Sequence, residues 1–115
     1  MTTTASVIIT GAGTGLGRAT ALHLAQRGMR VYATVPTLEQ APALEDAAAS
    51  AGVTLRILPL DVTDQASIDA AREIVRAESG APYGLVNNAA IALRGYFEDL
   101  LPEEIERACE VNVFG

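Results

Sequence analysis

Thr10-Gly11-Ala12-Gly13-Thr14-Gly15-Leu16-Gly17 follows the β-branched run Ser6-Val7-Ile8-Ile9 and opens a proline-free, helix-forming stretch that reaches Arg27. Residues 6–10 have the composition of a strand buried on both faces, so the glycines fall at a strand-to-helix turn. There the first helical N–H groups lack intrahelical partners and the macrodipole places partial positive charge, which lets backbone alone hold a pyrophosphate. Side chains at the glycine positions would block that approach. The stretch predicts a phosphate cradle for a dinucleotide.

Spacing separates the nucleotide-binding alternatives. A G-x-G-x-x-G fingerprint counted from Gly11 or Gly13 needs glycine where Leu16 and Arg18 stand, and a P-loop needs a lysine in a chain that has none. Thr10, Gly11, Gly15 and Gly17 instead spell T-G-x-x-x-G-x-G, which resembles the short-chain dehydrogenase/reductase family. Gly11-Ala12-Gly13-Thr14-Gly15 also fits the G-x-G-x-G pattern of S-adenosylmethionine-dependent methyltransferases. That class would want acidic residues before Gly11 and at the end of the second strand, where Thr10 and Thr34 stand. A non-catalytic nucleotide-binding module is the remaining alternative.

Three later segments carry the resemblance along the chain. Leu58-Pro59-Leu60-Asp61-Val62-Thr63 resembles the family's acidic residue after the third strand, which implies that Asp61 accepts from the adenine amino group and the Val62 N–H reaches the ring. Read locally, the same segment is a helix start capped by Thr63 or Asp64. Leu85-Val86-Asn87-Asn88-Ala89-Ala90 resembles the family's N-N-A-G segment. The resemblance implies that Asn87 ties neighbouring strands while Asn88, Ala89 and Ala90 line the ribose and nicotinamide side of the cofactor. Ala90 replaces the usual glycine, a change that is harmless at negative φ and costly at positive φ. Glu110-Val111-Asn112-Val113-Phe114-Gly115 resembles the V-N-x-x-G helix segment, whose asparagine is catalytic: its carbonyl, freed by a local helix distortion, holds a water in the proton relay. By the resemblance, Asn112 is the catalytic residue, and Gly11, Thr14, Gly15, Leu16, Gly17, Asp61, Val62, Asn88, Ala89 and Ala90 bind the cofactor.

The family's chemistry also needs a serine and a Tyr-x-x-x-Lys pair beyond the asparagine. Tyr32, Tyr83 and Tyr96 are followed four residues later by Pro36, Asn87 and Leu100, so no lysine is placed to lower a tyrosine pKa. The 115 residues are expected to be inactive alone and to be the N-terminal part of a single dinucleotide-binding domain. The strand at residues 84–87, central in the family's sheet, would otherwise leave an apolar edge unpaired.

The remaining pattern alternates strand and helix and predicts the first four strands of a doubly wound, Rossmann-type parallel α/β sheet. Gly28 stops the first helix, residues 30–34 form strand two, and Thr37-x-x-Gln40 is a candidate capping box for a helix reaching about Ala51. Residues 54–59 form strand three. Ile68, Ala71, Ile74 and Val75 lie at helical spacing within residues 64–77, a core stripe. Pro102 starts a last helix with Glu103 and Glu104 near its positive end, and Ile105, Ala108, Cys109 and Asn112 share one face, which makes Cys109 a small core residue.

A net charge of -6 argues against a nucleic-acid surface, and the apolar runs are too short to span a bilayer. Met1-Thr2-Thr3-Thr4 has no basic start of the signal-peptide kind, so a cytoplasmic setting is expected. Lone Cys109 and lone His23 supply neither a disulfide nor a metal cluster. The resemblance implies NAD(P), a small-molecule alcohol or carbonyl substrate, and a homo-oligomer in the complete protein. An acid closing strand two would pair with the ribose of NAD, but Thr34-Val35-Pro36 offers none, which tips the balance toward NADP with Arg18 the nearest cation in sequence.

Overall fold

Alternate side chains of short β-branched strands pack to opposite sides of one sheet in the computed structural model, which describes residues 4–115. The strands are β1 (Ser6–Ile9), β2 (Arg30–Val35), β3 (Arg56–Pro59) and β4 (Gly84–Val86), separated by α1 (Gly15–Gln26), α2 (Ala41–Ala51) and α3 (Gln65–Ser79). After β4 come α4 (Pro102–Cys109) and, without a break, a π-helical turn over Glu110–Phe114. The strands run parallel in the order β3-β2-β1-β4, with Ser6 opposite Arg30, Val7 opposite Gly84 and Tyr32 opposite Arg56. This is the doubly wound α/β arrangement that the alternation predicts.

Val7, Ile9, Val31, Ala33 and Val35 pack on Ala21 of α1 and Leu44 of α2, while Tyr32, Leu58 and Leu60 pack on Ala71 and Val75 of α3. Period-two alternation thus gives each face of the sheet its own helices. The expected α3 stripe is present, with Ile68 and Ile74 half-buried at its margins. Asp64 caps α3, its carboxylate accepting from the Ala66 N–H at 3.1 Å. Gly28, at φ +88°, closes α1 with its N–H on the Ala25 carbonyl, and the Met29 N–H bonds the Leu24 carbonyl, the paired bonds of a left-handed helix stop.

Three local expectations are corrected. The Thr37–Gln40 capping box does not form: Thr37 makes no side-chain cap bond, residues 38–40 make a 3₁₀ turn, and α2 begins at Ala41 with Pro42 in its first turn. Proline's fixed φ provides the helix start that the box was expected to provide, and the Gln40 side chain lies against Gly13 instead. Cys109 is exposed and Val111 is buried, because the covered stripe runs through Ile105, Ala108 and Val111 at three-residue spacing and leaves Cys109 to one side. The residue tying β1 to the segment after β4 is Asn88; Asn87, one step along the alternation, falls on the α3 side among Leu58, Ala71 and Val75.

Candidate dinucleotide site

The chain leaves β1 toward β2 and β3 on one side and returns to β4 on the other, so the direction of winding reverses between β1 and β4. Ligands of open α/β sheets sit outside the carboxyl ends of strands at such a point. A cavity of about 350 Å³ occupies it. Gly11, Thr14, Gly15 and Leu16 line it from the β1–α1 turn, Asp61 and Val62 from the segment after β3, and Asn88, Ala89 and Ala90 from the segment after β4. Nine of the ten cofactor positions read from the sequence therefore lie in the wall of this cavity.

Gly17, the tenth, is buried beneath that wall. A Cβ there would collide with the Gly11 carbonyl and the Asn88 amide, so its glycine serves close packing under the cradle rather than access from above. Gly11 answers both needs, since it takes φ +64° and a Cβ would come within 2.8 Å of Ala89 Cα. Thr14 is the N-cap of α1 yet makes no side-chain cap bond, and the Gly15, Leu16 and Gly17 N–H groups have no protein acceptor among the described residues. A narrow opening kept clear of side chains, faced by free amides at a positive helix end, fits a bound pyrophosphate.

Thr10 and Asn88 hold the two sides together. The Thr10 hydroxyl accepts from the Asn88 and Ala89 N–H groups, each at 3.0 Å, and Asn88 Nδ2 donates to the Thr10 and Gly11 carbonyls, each at 3.1 Å. No residue other than glycine has positive φ among the described residues, so the Ala90 methyl sits on an ordinary backbone and costs no strain.

Asp61 faces the cavity with one carboxylate oxygen already committed: Oδ1 accepts from the Thr63 hydroxyl at 2.6 Å and the Thr63 N–H at 2.9 Å. Those bonds, reinforced by the charge of Arg107, hold its carboxyl below the usual range and keep it ionised at neutral pH. Ser67 braces the segment by accepting from the Asp61 N–H at 2.9 Å.

Asn112 lies inside the π turn, the distortion expected around it. Its side chain does not point its amide at open solvent: Oδ1 accepts from the Ile91 N–H at 2.8 Å and Nδ2 donates to the Ile91 carbonyl at 2.9 Å. The π turn is thereby pinned to the loop leaving the cavity wall. Arg18 does not line the cavity; its Nε and Nη2 both donate to the Gly13 carbonyl, at 3.0 and 2.6 Å. Pro36, Gln40, Leu60, Ile91, Arg107 and Val111 complete the lining and were not singled out as site residues by sequence.

A family model described as short chain dehydrogenase matches residues 5–115. The probable oxidoreductase EphD of Mycobacterium tuberculosis is 38% identical over 111 residues, which are 95% of this chain and 18% of that protein. The 3-oxoacyl-[acyl-carrier-protein] reductase FabG of Escherichia coli is 39% identical over 106 residues, covering 92% of this chain and 42% of the relative. A crystal structure of a short-chain dehydrogenase from Streptomyces avermitilis superposes with TM-score 0.86 at 32% identity, covering 99% of this chain and 41% of that one. The chain thus spans less than half the length of these relatives.

Proposed function

The chain belongs to the short chain dehydrogenase family, and we propose that it is the dinucleotide-binding part of an NAD(P)-dependent oxidoreductase that interconverts an alcohol and a carbonyl compound. The observation that carries this reading is the single cavity shared by the glycine turn, Asp61 and the Asn88–Ala90 segment at the reversal between β1 and β4. The nicotinamide dinucleotide supplies the hydride carrier when bound. This chain's residues bind and orient it: the α1 amides take the pyrophosphate, Asp61 and Val62 the adenine, and Asn88, Ala89 and Ala90 the ribose and nicotinamide. Asn112 offers its carbonyl to a water in the proton relay.

Hydride transfer is a property of the complete protein, since these residues include no Tyr-x-x-x-Lys pair; alone they bind without catalysis. NADP is the preferred form, because β2 ends at Val35, is followed by Pro36, and sets no carboxylate against a 2′-phosphate. The proposal extends to a cytoplasmic homo-oligomer acting on a small molecule, a setting supported by the resemblance to the family and by no contact of this chain.

Fluorescence titration of the protein expressed whole from its native gene with NADPH and NADH, followed by a panel of ketones and aldehydes, tests the proposal. Submillimolar binding of NADPH with turnover of a carbonyl compound supports it; no binding of either dinucleotide overturns it. NADH binding tenfold tighter than NADPH overturns the cofactor preference alone.

A further inference from the structure

Among the described residues, Asp61 and Arg107 are the only charged ones lining the cavity. Arg107 stands on α4 with Glu103 and Glu104, and Glu110 opens the π turn just beyond, all at the three- and four-residue spacings where helical ion pairs form. It pairs with none of them: among the described residues the ion pairs are those of Arg30 and Arg56 with Glu78, and of Arg72 with Asp69. Glu104 accepts instead from the Leu101 N–H at the start of the helix. Arg107 Nη1 reaches across to Thr63 Oγ1 at 3.2 Å, 44 residues away in sequence.

That contact sets the direction of the next one. A guanidinium only donates, so the Thr63 hydroxyl accepts from Arg107 and turns its own proton to Asp61 Oδ1. With the Thr63 N–H also on Oδ1, this oxygen is satisfied, and Oδ2, which has no partner among the described residues, is the free acceptor of a side chain that lines the cavity. We propose that Arg107 is a positioning residue for adenine recognition, acting through Thr63 to fix the Asp61 carboxylate from the same helical segment that carries Asn112. The proposal rests on the dinucleotide reading given above. It makes α4 a strut between the two ends of the cofactor: Arg107 sets the adenine acceptor, and Asn112, five residues on, is clamped to Ile91 at the cavity wall.

The test is a comparison of affinities for the adenine dinucleotide and its 6-deamino purine counterpart, in which hydrogen replaces the exocyclic amino donor and the N1 acceptor facing the Val62 N–H is kept. It uses the protein expressed from its native gene and purified whole. The wild type prefers adenine by about tenfold, the factor for one hydrogen bond to a charged group. Arg107→Met and Thr63→Val each reduce that preference to within about twofold of unity, and Arg107→Lys, which keeps a donor, restores most of it. Thr63 is exposed and Val keeps its shape, so T63V stands as a second probe should R107M fail to fold. An unchanged preference in both variants overturns the proposal, as does an equal loss of affinity for both purines, the mark of a merely loosened helix. A wild type that binds neither dinucleotide overturns the dinucleotide reading itself.

Discussion

Thr10 and Asn88 are joined by backbone and side chain alike: the Asn88 N–H donates to the Thr10 hydroxyl at 3.0 Å, and Asn88 Nδ2 donates to the Thr10 carbonyl at 3.1 Å. The same Nδ2 reaches the Gly11 carbonyl. One amide group therefore fixes the first residue of the cradle to its opposite wall.

Asn88→Ala removes both carbonyl contacts and keeps the backbone bond. It lowers stability by about 1–3 kcal/mol and weakens dinucleotide binding, as read by urea denaturation and titration. Asn88→Asp sets an acceptor against two carbonyls and is the more damaging change, so an aspartate variant as stable as wild type would contradict the geometry.

Gly17 and Gly15 differ in what a methyl meets. Gly17→Ala drives Cβ into the Gly11 carbonyl and the Asn88 amide and costs more than about 3 kcal/mol or abolishes folding. Gly15→Ala meets open space and bears only the strain of φ +56°, roughly 1–2 kcal/mol. Thermal melts of the two variants check the order; G17A melting above G15A would refute the assignment of Gly17 to packing.

Asn112→Ala releases the paired bonds to Ile91. Amide hydrogen exchange is the direct readout: protection at Ile91 falls about tenfold while residues in β1 and β2 stay unchanged. Uniform deprotection would instead mean that the π turn stabilises the whole sheet.

Glu78 gathers Arg56, at 3.0 Å, and Arg30, at 3.2 Å, at the end of the sheet away from the cavity. Hydrogen bonds from Arg56, aided by both positive charges, hold its carboxyl below the ordinary glutamate range. A carboxyl lowered in the folded state binds fewer protons there than when unfolded. Its contribution is therefore present above the unfolded value, about 4.3, and is lost as pH falls through the folded one. Glu78→Gln lowers the melting temperature at pH 7, and the gap from wild type closes on acidification below about pH 4. A gap that is constant from about pH 7 to pH 3 would remove the ion pairs from the account.

Local chemistry was legible in the sequence wherever one residue's neighbours decide its role. The glycine turn, the strand and helix alternation, a helix cap at Thr63 or Asp64, of which the structure uses Asp64, and the α3 stripe each follow from a few adjacent residues. The bounds moved where propensity is weak: β3 begins at Arg56 rather than at residue 54, and α3 extends to Ser79. Gln40 carried a signal, but it was the signal of a cap, and Pro42 had already supplied the helix start. Arg107 was hidden for a different reason. Helical spacing points it at glutamates on its own helix, and only the docking of α4 brings Thr63 within reach. Asn87 and Asn88 are adjacent and chemically identical, so sequence could not say which one faces β1; the position of the last β4 residue, Val86, decides it.

The pairing of β1 with β4 also orders events in time. β1 meets β2 after a single intervening helix, whereas the Thr10–Asn88 bonds close a loop of 78 residues, the costlier ring to form. The cradle is therefore completed by the strand pairing with the largest closure cost, which is expected to form after the local β1–β2 pairing. A dinucleotide that binds as proposed recognises only chains in which that strand has docked, so its presence would draw the equilibrium toward them by mass action. On the proposed reading the cofactor is a clasp on the strand pairing that closes the longest loop of the sheet.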